Sequence, residues 1–138
     1  MKILVIDGQG GNIGRQLVKM ISEAFPDSDI HAVGTNSIAT ANMMKGANVS
    51  AATGENAVVV GCRKADIIVG PIGIVVADSL GGEVTPKMAV AVGQSDAVRV
   101  LVPMNKCGNI VAGVRDVSTS TLLDDVIKKI GDVTEKIS

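Results

Sequence analysis

Three glycines at three-residue spacing stand just after an apolar run near the start of the chain. The run, Lys2 to Ile6, predicts a buried strand, and apolar residues recur at helical spacing beyond the glycines. The first turn of a helix has unpaired N–H groups and the positive end of the helix dipole, which stabilise a phosphate, and glycines let it approach the backbone. The residues that we expect at this phosphate site are Gly8, Gln9, Gly10, Gly11, Asn12, Ile13, Gly14 and Arg15.

The spacing of these glycines narrows the kind of phosphate site. Gly8, Gly11 and Gly14 give Gly-x-x-Gly-x-x-Gly, which resembles the fingerprint of extended and atypical short-chain dehydrogenases. A Walker A loop fits worse, because Arg15 and Gln16 stand where lysine and serine or threonine are required. The alternative is a tight turn in which the glycines only let the helix pack on the sheet.

Three further segments are expected at the same edge of a parallel sheet, because each follows a predicted strand and the carboxyl ends of parallel strands lie together. The first also contains good helix-capping residues, so its alternative role is an ordinary helix start. The expected contact residues in the three segments are Thr35, Asn36, Ser37, Gly70, Pro71, Ile72 and Asn105.

The second predicted strand, 29–33, bears on the choice of cofactor. In a dinucleotide site its tip lies by the adenosine ribose, where a carboxylate normally binds the 2′-hydroxyl of NAD. No carboxylate directly follows this strand, whereas Arg15, Thr35 and Ser37 are able to contact a 2′-phosphate. We therefore favour NADP over NAD.

Few residues are available for acid–base or metal chemistry. The chain has no tyrosine, which excludes the Tyr-x-x-x-Lys pair of short-chain dehydrogenases. Its one histidine, His31, lies in a predicted strand and is expected to be packed there, so we expect no metal site and no Ser-His-Asp triad. Asp7 is expected to fix the glycine loop. The other candidates are Glu55, Asp78, Glu83, Lys87 and Cys107.

Length and composition restrict the class of protein. With 138 residues, of which 46% are hydrophobic, the chain is expected to form one domain, 1–138, without room for a separate substrate domain. A net charge of −1 without a basic stripe, and a single aromatic residue, exclude a nucleic-acid-binding surface. Two distant cysteines, with no leader and no membrane-length apolar stretch, predict a cytoplasmic protein that does not contact membranes.

The order of predicted elements indicates an α/β fold: a single three-layer, doubly wound (Rossmann-like) domain with a mostly parallel five-stranded sheet. Segment 57–65 is ambiguous, and we favour a helix because a crossover must precede the next strand. Thr85 and Pro86 predict the start of a later helix, because threonine caps helices and proline suits their first position. Segment 78–83 is a lid or a surface excursion. The apolar stripe of the last helix, where uncovered, predicts a homodimer or higher oligomer. The predicted strands are 2–6, 29–33, 66–70, 97–103 and 110–114, the last antiparallel or at an edge because only about six residues precede it.

Several motifs together resemble one family. They are Asp7 to Gly11 with Gly14, Gly34 to Thr40, Ala52 to Ala57, Gly70 to Ile74, Thr85 to Ala89, and Val102 to Asn105. These are similar to an uncharacterised bacterial family, domain of unknown function number 3842, over essentially the whole chain. The resemblance implies a small bacterial Rossmann-like protein, and it carries over no catalytic residue.

Three functional hypotheses follow. The first is a protein that binds a nucleotide or dinucleotide, such as a reductase whose active site is completed across a homodimer. The second is a non-catalytic sensor or partner-binding module. The third is an enzyme acting on a small phosphorylated metabolite, with the glycine loop holding the phosphate.

Overall fold

The computed structural model describes residues 1–104 and 108–137. In this part of the chain five strands alternate with five α-helices, and a short 3-10 helix, Ile72–Val75, follows the fourth strand. The elements are β1 (Lys2–Asp7), α1 (Asn12–Ala24), β2 (Asp29–Gly34), α2 (Ser37–Met44), β3 (Ser50–Thr53), α3 (Glu55–Lys64), β4 (Ile67–Pro71), α4 (Pro86–Gln94), β5 (Val98–Val102) and α5 (Thr119–Ile137).

The five strands form one parallel sheet in the order β3-β2-β1-β4-β5. The chain moves outward from β1 to β3 and then crosses to β4 on the other side of β1. This strand order is that of a Rossmann-type sheet, and the direction of winding reverses between β1 and β4. The α/β class and the five-stranded sheet are therefore confirmed, and the reversal point identifies the edge where ligands of such sheets bind.

Each face of the sheet has its own hydrophobic core. Side chains alternate along β1, so Ile3 and Val5 pack with α1 and α5, whereas Leu4 and Ile6 pack with α3 and α4. Both faces of β1 are buried, which explains its continuous apolar sequence. The result is the expected arrangement of three layers.

Two predictions about strands are wrong. Segment 110–114 is not a strand, so it is neither the antiparallel strand nor the edge strand that was expected, and the strands of the described sheet are all parallel. Ile110 is 96% exposed and Gly113 has a φ of 82°, so these apolar residues form a surface turn. The remaining strand is instead β3, whose small residues Ser50 to Thr53 carry no strand pattern but pair with β2.

The helices agree better with prediction. The ambiguous segment is helical, as α3, and α4 begins as expected with a capping threonine and a proline: Thr85 Oγ1 accepts a hydrogen bond from the Met88 amide at 3.1 Å. None of the helices in the described residues combines the length and the apolar character needed to cross a membrane.

Candidate functional site

The turn between β1 and α1 is shaped by the packing of α1 against α2. Gly11 has a φ of 73°, and a Cβ there would lie 2.6 Å from the carbonyl oxygen of Ala39 in α2. At Gly14 a Cβ would lie 2.5 Å from Met43 Sδ. These close contacts are enough to require glycine, whether or not a ligand binds. The packing role considered for the motif is therefore present at both positions.

The carboxylate of Asp7 fixes this turn through hydrogen bonds to its backbone. Its Oδ1 accepts a hydrogen bond from the Gly8 amide at 2.8 Å, and its Oδ2 accepts one from the Gly14 amide at 2.7 Å. Burial raises the pKa of Asp7, the two hydrogen bonds act to lower it, and the charge of Glu83 raises it further. The expected role of Asp7 in fixing the loop agrees with this geometry.

Three amides of the turn have no acceptor in the part of the chain that the structure describes. The Gly11 amide donates to the Gly8 carbonyl at 3.0 Å, but those of Gly10, Asn12 and Ile13 have no hydrogen-bond acceptor within residues 1–104 and 108–137. Gly10 is exposed, and a Cβ there would meet only Asn12 Nδ2, at 3.7 Å. The first turn of α1 thus has free donors that an anion is able to accept.

Two asparagines of the α2 segment brace the same turn. Asn36 caps α2 by accepting a hydrogen bond from the Ala39 amide at 2.8 Å, and its Nδ2 donates to the Gln9 carbonyl at 3.0 Å. Asn42 Nδ2 donates to the Gly10 carbonyl at 2.8 Å. The tip of β2 and the glycine turn are therefore one connected structure, as the parallel-sheet argument predicts for Asn36.

A carboxylate from a distant segment also lies on the turn. Glu83 Oε1 accepts three hydrogen bonds. The donors are the Gln9 amide at 2.9 Å, the Thr35 hydroxyl at 2.7 Å and Asn36 Nδ2 at 2.7 Å. Desolvation acts to raise the pKa of Glu83, but the three hydrogen bonds outweigh it and hold the pKa below its ordinary value. The tip of β2 thus has a carboxylate, so the absence on which the preference for NADP was based does not hold in the folded protein.

Glu83 belongs to a segment that we name the cover loop, residues 76–84. Ser79 Oγ donates to the Gly73 carbonyl, and the Asp78 amide donates to the Val84 carbonyl at 2.7 Å. The loop lies close enough to Gly8 that a Cβ there would be 3.0 Å from Leu80 Cδ1 and 3.1 Å from Glu83 Oε1. Gly8 is therefore buried beneath this loop.

The other expected contact residues occupy several different positions. Ser37 and Arg15 are exposed, at the start of α2 and in the first turn of α1. Gly70 and Pro71 end β4, and Ile72 lines a groove beside β5 instead of the glycine turn. Asn105 and Cys107 lie outside the described residues. Sequence analysis missed Asn42, and it did not connect Glu83 with Gln9, 74 positions away, because no local signal predicts such a contact.

Two other polar side chains considered in the sequence analysis, those of Glu55 and His31, also have protein contacts. Glu55 Oε2 accepts a hydrogen bond from the Thr85 hydroxyl at 2.6 Å, and His31 Nδ1 lies 2.8 Å from Ser50 Oγ. Burial raises the pKa of the Cys62 thiol to about 11, so it is neutral near pH 7. Among the described residues no three histidine, cysteine, aspartate or glutamate side chains are arranged to hold a metal ion.

Comparison with known proteins identifies the family. The family model described as Domain of unknown function (DUF3842) matches residues 2–135. The chain belongs to this family. No curated protein gives a significant match to this family member. A similar solved structure is a dodecameric FMN-dependent UbiX-like decarboxylase from Escherichia coli O157:H7, with 14% identity and a TM-score of 0.47 over 96% of this chain and 92% of that one. At this identity and score the likeness says nothing about the activity of the DUF3842 chain.

Proposed function

We propose that the protein binds a nucleotide or dinucleotide through a phosphate group at the glycine turn. The observation that carries this proposal is the set of three free amides, of Gly10, Asn12 and Ile13, at the amino end of α1. They lie at the reversal point of the sheet, and anions bind there because both the free N–H groups and the helix dipole favour negative charge.

Among nucleotides, we propose NADP as the preferred ligand. Three donors at the tip of β2 support this preference: the Thr35 hydroxyl and the Asn36 and Gln9 N–H groups, which bind Glu83 in this structure. Such donors suit an anionic oxygen. A 2′-phosphate is such a group, and a free ribose hydroxyl is not. NADP binding at this tip requires Glu83 to leave it, because the two negative charges repel.

The test is thermal unfolding of the pure protein against NADP, NAD, FMN, ATP and ribose 5-phosphate. A ligand that binds only the folded protein stabilises it by about 2.7 kcal/mol at a hundredfold its dissociation constant. A selective rise with a nucleotide is expected. A rise with ribose 5-phosphate alone would favour the third hypothesis, an enzyme acting on a phosphorylated metabolite.

The matched variants are Gly10→Val and Gly93→Val. Both glycines are exposed and have room for a side chain, but only Gly10 lies on the turn. We expect Gly10→Val to keep the fold and to weaken nucleotide binding at least tenfold, because its side chain covers the free amides. Gly93→Val should bind like the wild type. Equal affinity of the two variants would contradict the proposal.

A second candidate, a non-catalytic module controlled by its ligand, is favoured by one observation. The carboxylates at this edge hold structure together: Asp7 binds the turn, Glu83 binds the tip of β2 and Glu55 binds Thr85. Turnover of NADPH with a carbonyl substrate would contradict this candidate, whereas nucleotide binding that changes the association state without turnover would support it.

We also propose that two copies associate through the outer edge of β5. In the apolar stripe of α5 Leu123, Val126 and Ile130 are buried, and only Leu122, Ile127 and Val133 are partly exposed, so the stripe leaves a small surface for association. In the described sheet β5 pairs only with β4, and Val98 and Val117 beside its free edge are 43% and 42% exposed. A twofold axis would place the two free edges together, which covers an apolar edge that favours association.

A further inference from the structure

The contact between Glu83 and the glycine turn has the form of an occupied anion site. Three donors from two segments, the Gln9 amide and the Thr35 and Asn36 side chains, converge on a single carboxylate oxygen. Hydrogen bonds to an ionised acceptor are stronger than those between neutral groups. We name these three donors the oxyanion seat. In this structure the protein's own carboxylate fills it.

The cover loop that carries Glu83 is held in a strained conformation. Asp78 and Leu80 have φ values of 66° and 55°, in the left-handed region that side chains other than glycine rarely adopt. Such backbone persists only where surrounding contacts enforce it, and it is concentrated at ligand clamps and switch regions. Here the enforcing contacts are the burial of Leu80 and the three hydrogen bonds of Glu83.

The tip of the same loop, residues 81–83, is not buried and has room to change conformation. The hydrogen bond from the Val84 amide to the Ser79 carbonyl, at 3.2 Å, lies inside the loop and can survive a movement away from the turn. A Cβ added at Gly81 or Gly82 would meet no atom within 4 Å, so nothing crowds the backbone at the tip. The described hydrogen bonds between the tip and the glycine turn end on Glu83, whereas the buried Ser79, Leu80 and Val84 anchor the rest of the loop.

A ligand phosphate on the glycine turn would be repelled by the nearby carboxylate of Glu83. The Gln9 amide that binds Glu83 is next to the free Gly10 amide, so the carboxylate lies beside the proposed phosphate position. Two negative charges so close repel each other, and the repulsion is strong where water is partly excluded. Binding of an anionic ligand therefore favours departure of the carboxylate.

We propose that the tip of the cover loop, residues 81–83, is a lid displaced by the ligand, and that a second anionic group of the ligand then takes the oxyanion seat in place of Glu83. This inference rests on the proposed function, since the first phosphate must bind the free amides of α1. It defines the ligand class as a nucleotide with two separate anionic groups. It also makes Glu83 a competitor of the ligand. The apparent affinity for the ligand is the intrinsic affinity multiplied by the fraction of molecules whose lid is open.

The experiment compares the wild type with Glu83→Ala and Glu23→Ala by titration calorimetry. The probes are 2′,5′-ADP, which has two separate phosphate groups, and 5′-AMP, which has one. Glu23 is an exposed residue of α1, so its variant controls for the loss of one negative charge from the protein. We expect Glu83→Ala to bind 2′,5′-ADP about tenfold more tightly than the wild type, with a smaller gain for 5′-AMP and none for Glu23→Ala.

A second readout does not depend on a variant. In the wild type, binding of 2′,5′-ADP should increase amide hydrogen exchange across residues 78–84, because the lid leaves the turn. Weaker binding by Glu83→Ala, which would mean that the carboxylate contacts the ligand, would overturn the lid. Unchanged or greater protection of residues 78–84 on binding would also overturn it.

Failure of the two proposals can be told apart. If both probes bind and Gly10→Val abolishes binding, but Glu83→Ala does not bind more tightly, the lid is wrong and the proposed function stands. If neither probe binds the wild type or Glu83→Ala, the proposed function is wrong and the lid is overturned with it. Glu83→Gln, which keeps an acceptor oxygen without the charge, replaces Glu83→Ala if that variant does not fold and should show an intermediate gain.

Discussion

Asp7 and Glu83 are the two carboxylates that contact the glycine turn, and their environments have opposite effects on their ionisation. Asp7 is buried, and burial raises its pKa, although the Gly8 and Gly14 amides bind it. Burial acts to raise the pKa of Glu83, but its hydrogen bonds stabilise the ionised form more strongly, so the pKa is lowered. The structural role of Asp7 is predictable from its place before the glycines, whereas the position of Glu83 depends on the folding of a loop far along the chain.

The lowered pKa of Glu83 leads to a prediction about acid. A carboxyl group with a lower pKa in the folded state contributes stability above its unfolded pKa, roughly 4.3, and loses it as the pH falls through the folded value. The free energy of unfolding of the wild type should therefore exceed that of Glu83→Gln at pH 7, and the difference should shrink towards pH 3. Urea denaturation of both proteins measures it.

A difference that stays constant between pH 7 and pH 3 would contradict the ionised contact. The contribution of Asp7 to stability changes with pH in the opposite direction. Its pKa is raised in the folded state, so its ionisation destabilises the fold as the pH rises. Because the charge of Glu83 is one cause of this raised pKa, Glu83→Gln also relieves Asp7, which offsets part of the difference at pH 7 without reversing its decrease towards pH 3.

At the scale of elements, the α1–α2 pair determines which glycines are structural. Gly11 lies against the backbone of Ala39, and Gly14 lies against Met43, whereas Gly10 has open space beside it. The sequence pattern alone cannot separate these roles, because all three glycines belong to one short motif. Their separation requires the position of α2, which the sequence predicts as a helix but does not place.

Replacement of Gly11 by alanine should therefore destabilise the protein. The new Cβ would lie 2.6 Å from the Ala39 carbonyl oxygen, and the φ of 73° disfavours alanine. Together these effects predict a loss of about 3 kcal/mol in the free energy of unfolding. Chemical denaturation provides the measurement. Gly10→Ala, the control, should change it by less than about 0.5 kcal/mol, and equal losses would show that packing does not explain Gly11.

The sequence predicts most of the elements because their apolar periods are clear. The strand β1 is continuous in apolar residues, and α4 begins with Thr85 and Pro86, so both are recognised correctly. The strand β3 is missed because Ser50 to Thr53 are small and its formation depends on pairing with β2. Segment 110–114 is assigned wrongly because β-branched residues indicate a strand even where no neighbouring strand accepts them.

For the whole molecule, the free edge of β5 is the main candidate for association. We expect the wild type to be a dimer by light scattering and Val98→Lys to be a monomer, because a charged residue at an edge strand prevents pairing between edges. Val90→Lys is the matched control, since Val90 is 52% exposed and belongs to α4, not to the edge strand. A monomeric wild type, or dimers in all three proteins, would exclude this interface.

We propose above that the free amides at the start of α1 bind a phosphate group. The most direct measurement is a titration of isotope-labelled protein with NADP followed by amide NMR. We predict that the largest shifts fall on Gly10, Asn12 and Ile13, followed by Gln9 and residues 78–84. Binding whose shifts avoid the glycine turn and cluster elsewhere, such as the groove of about 630 Å³ between α3 and β3, would contradict the claim.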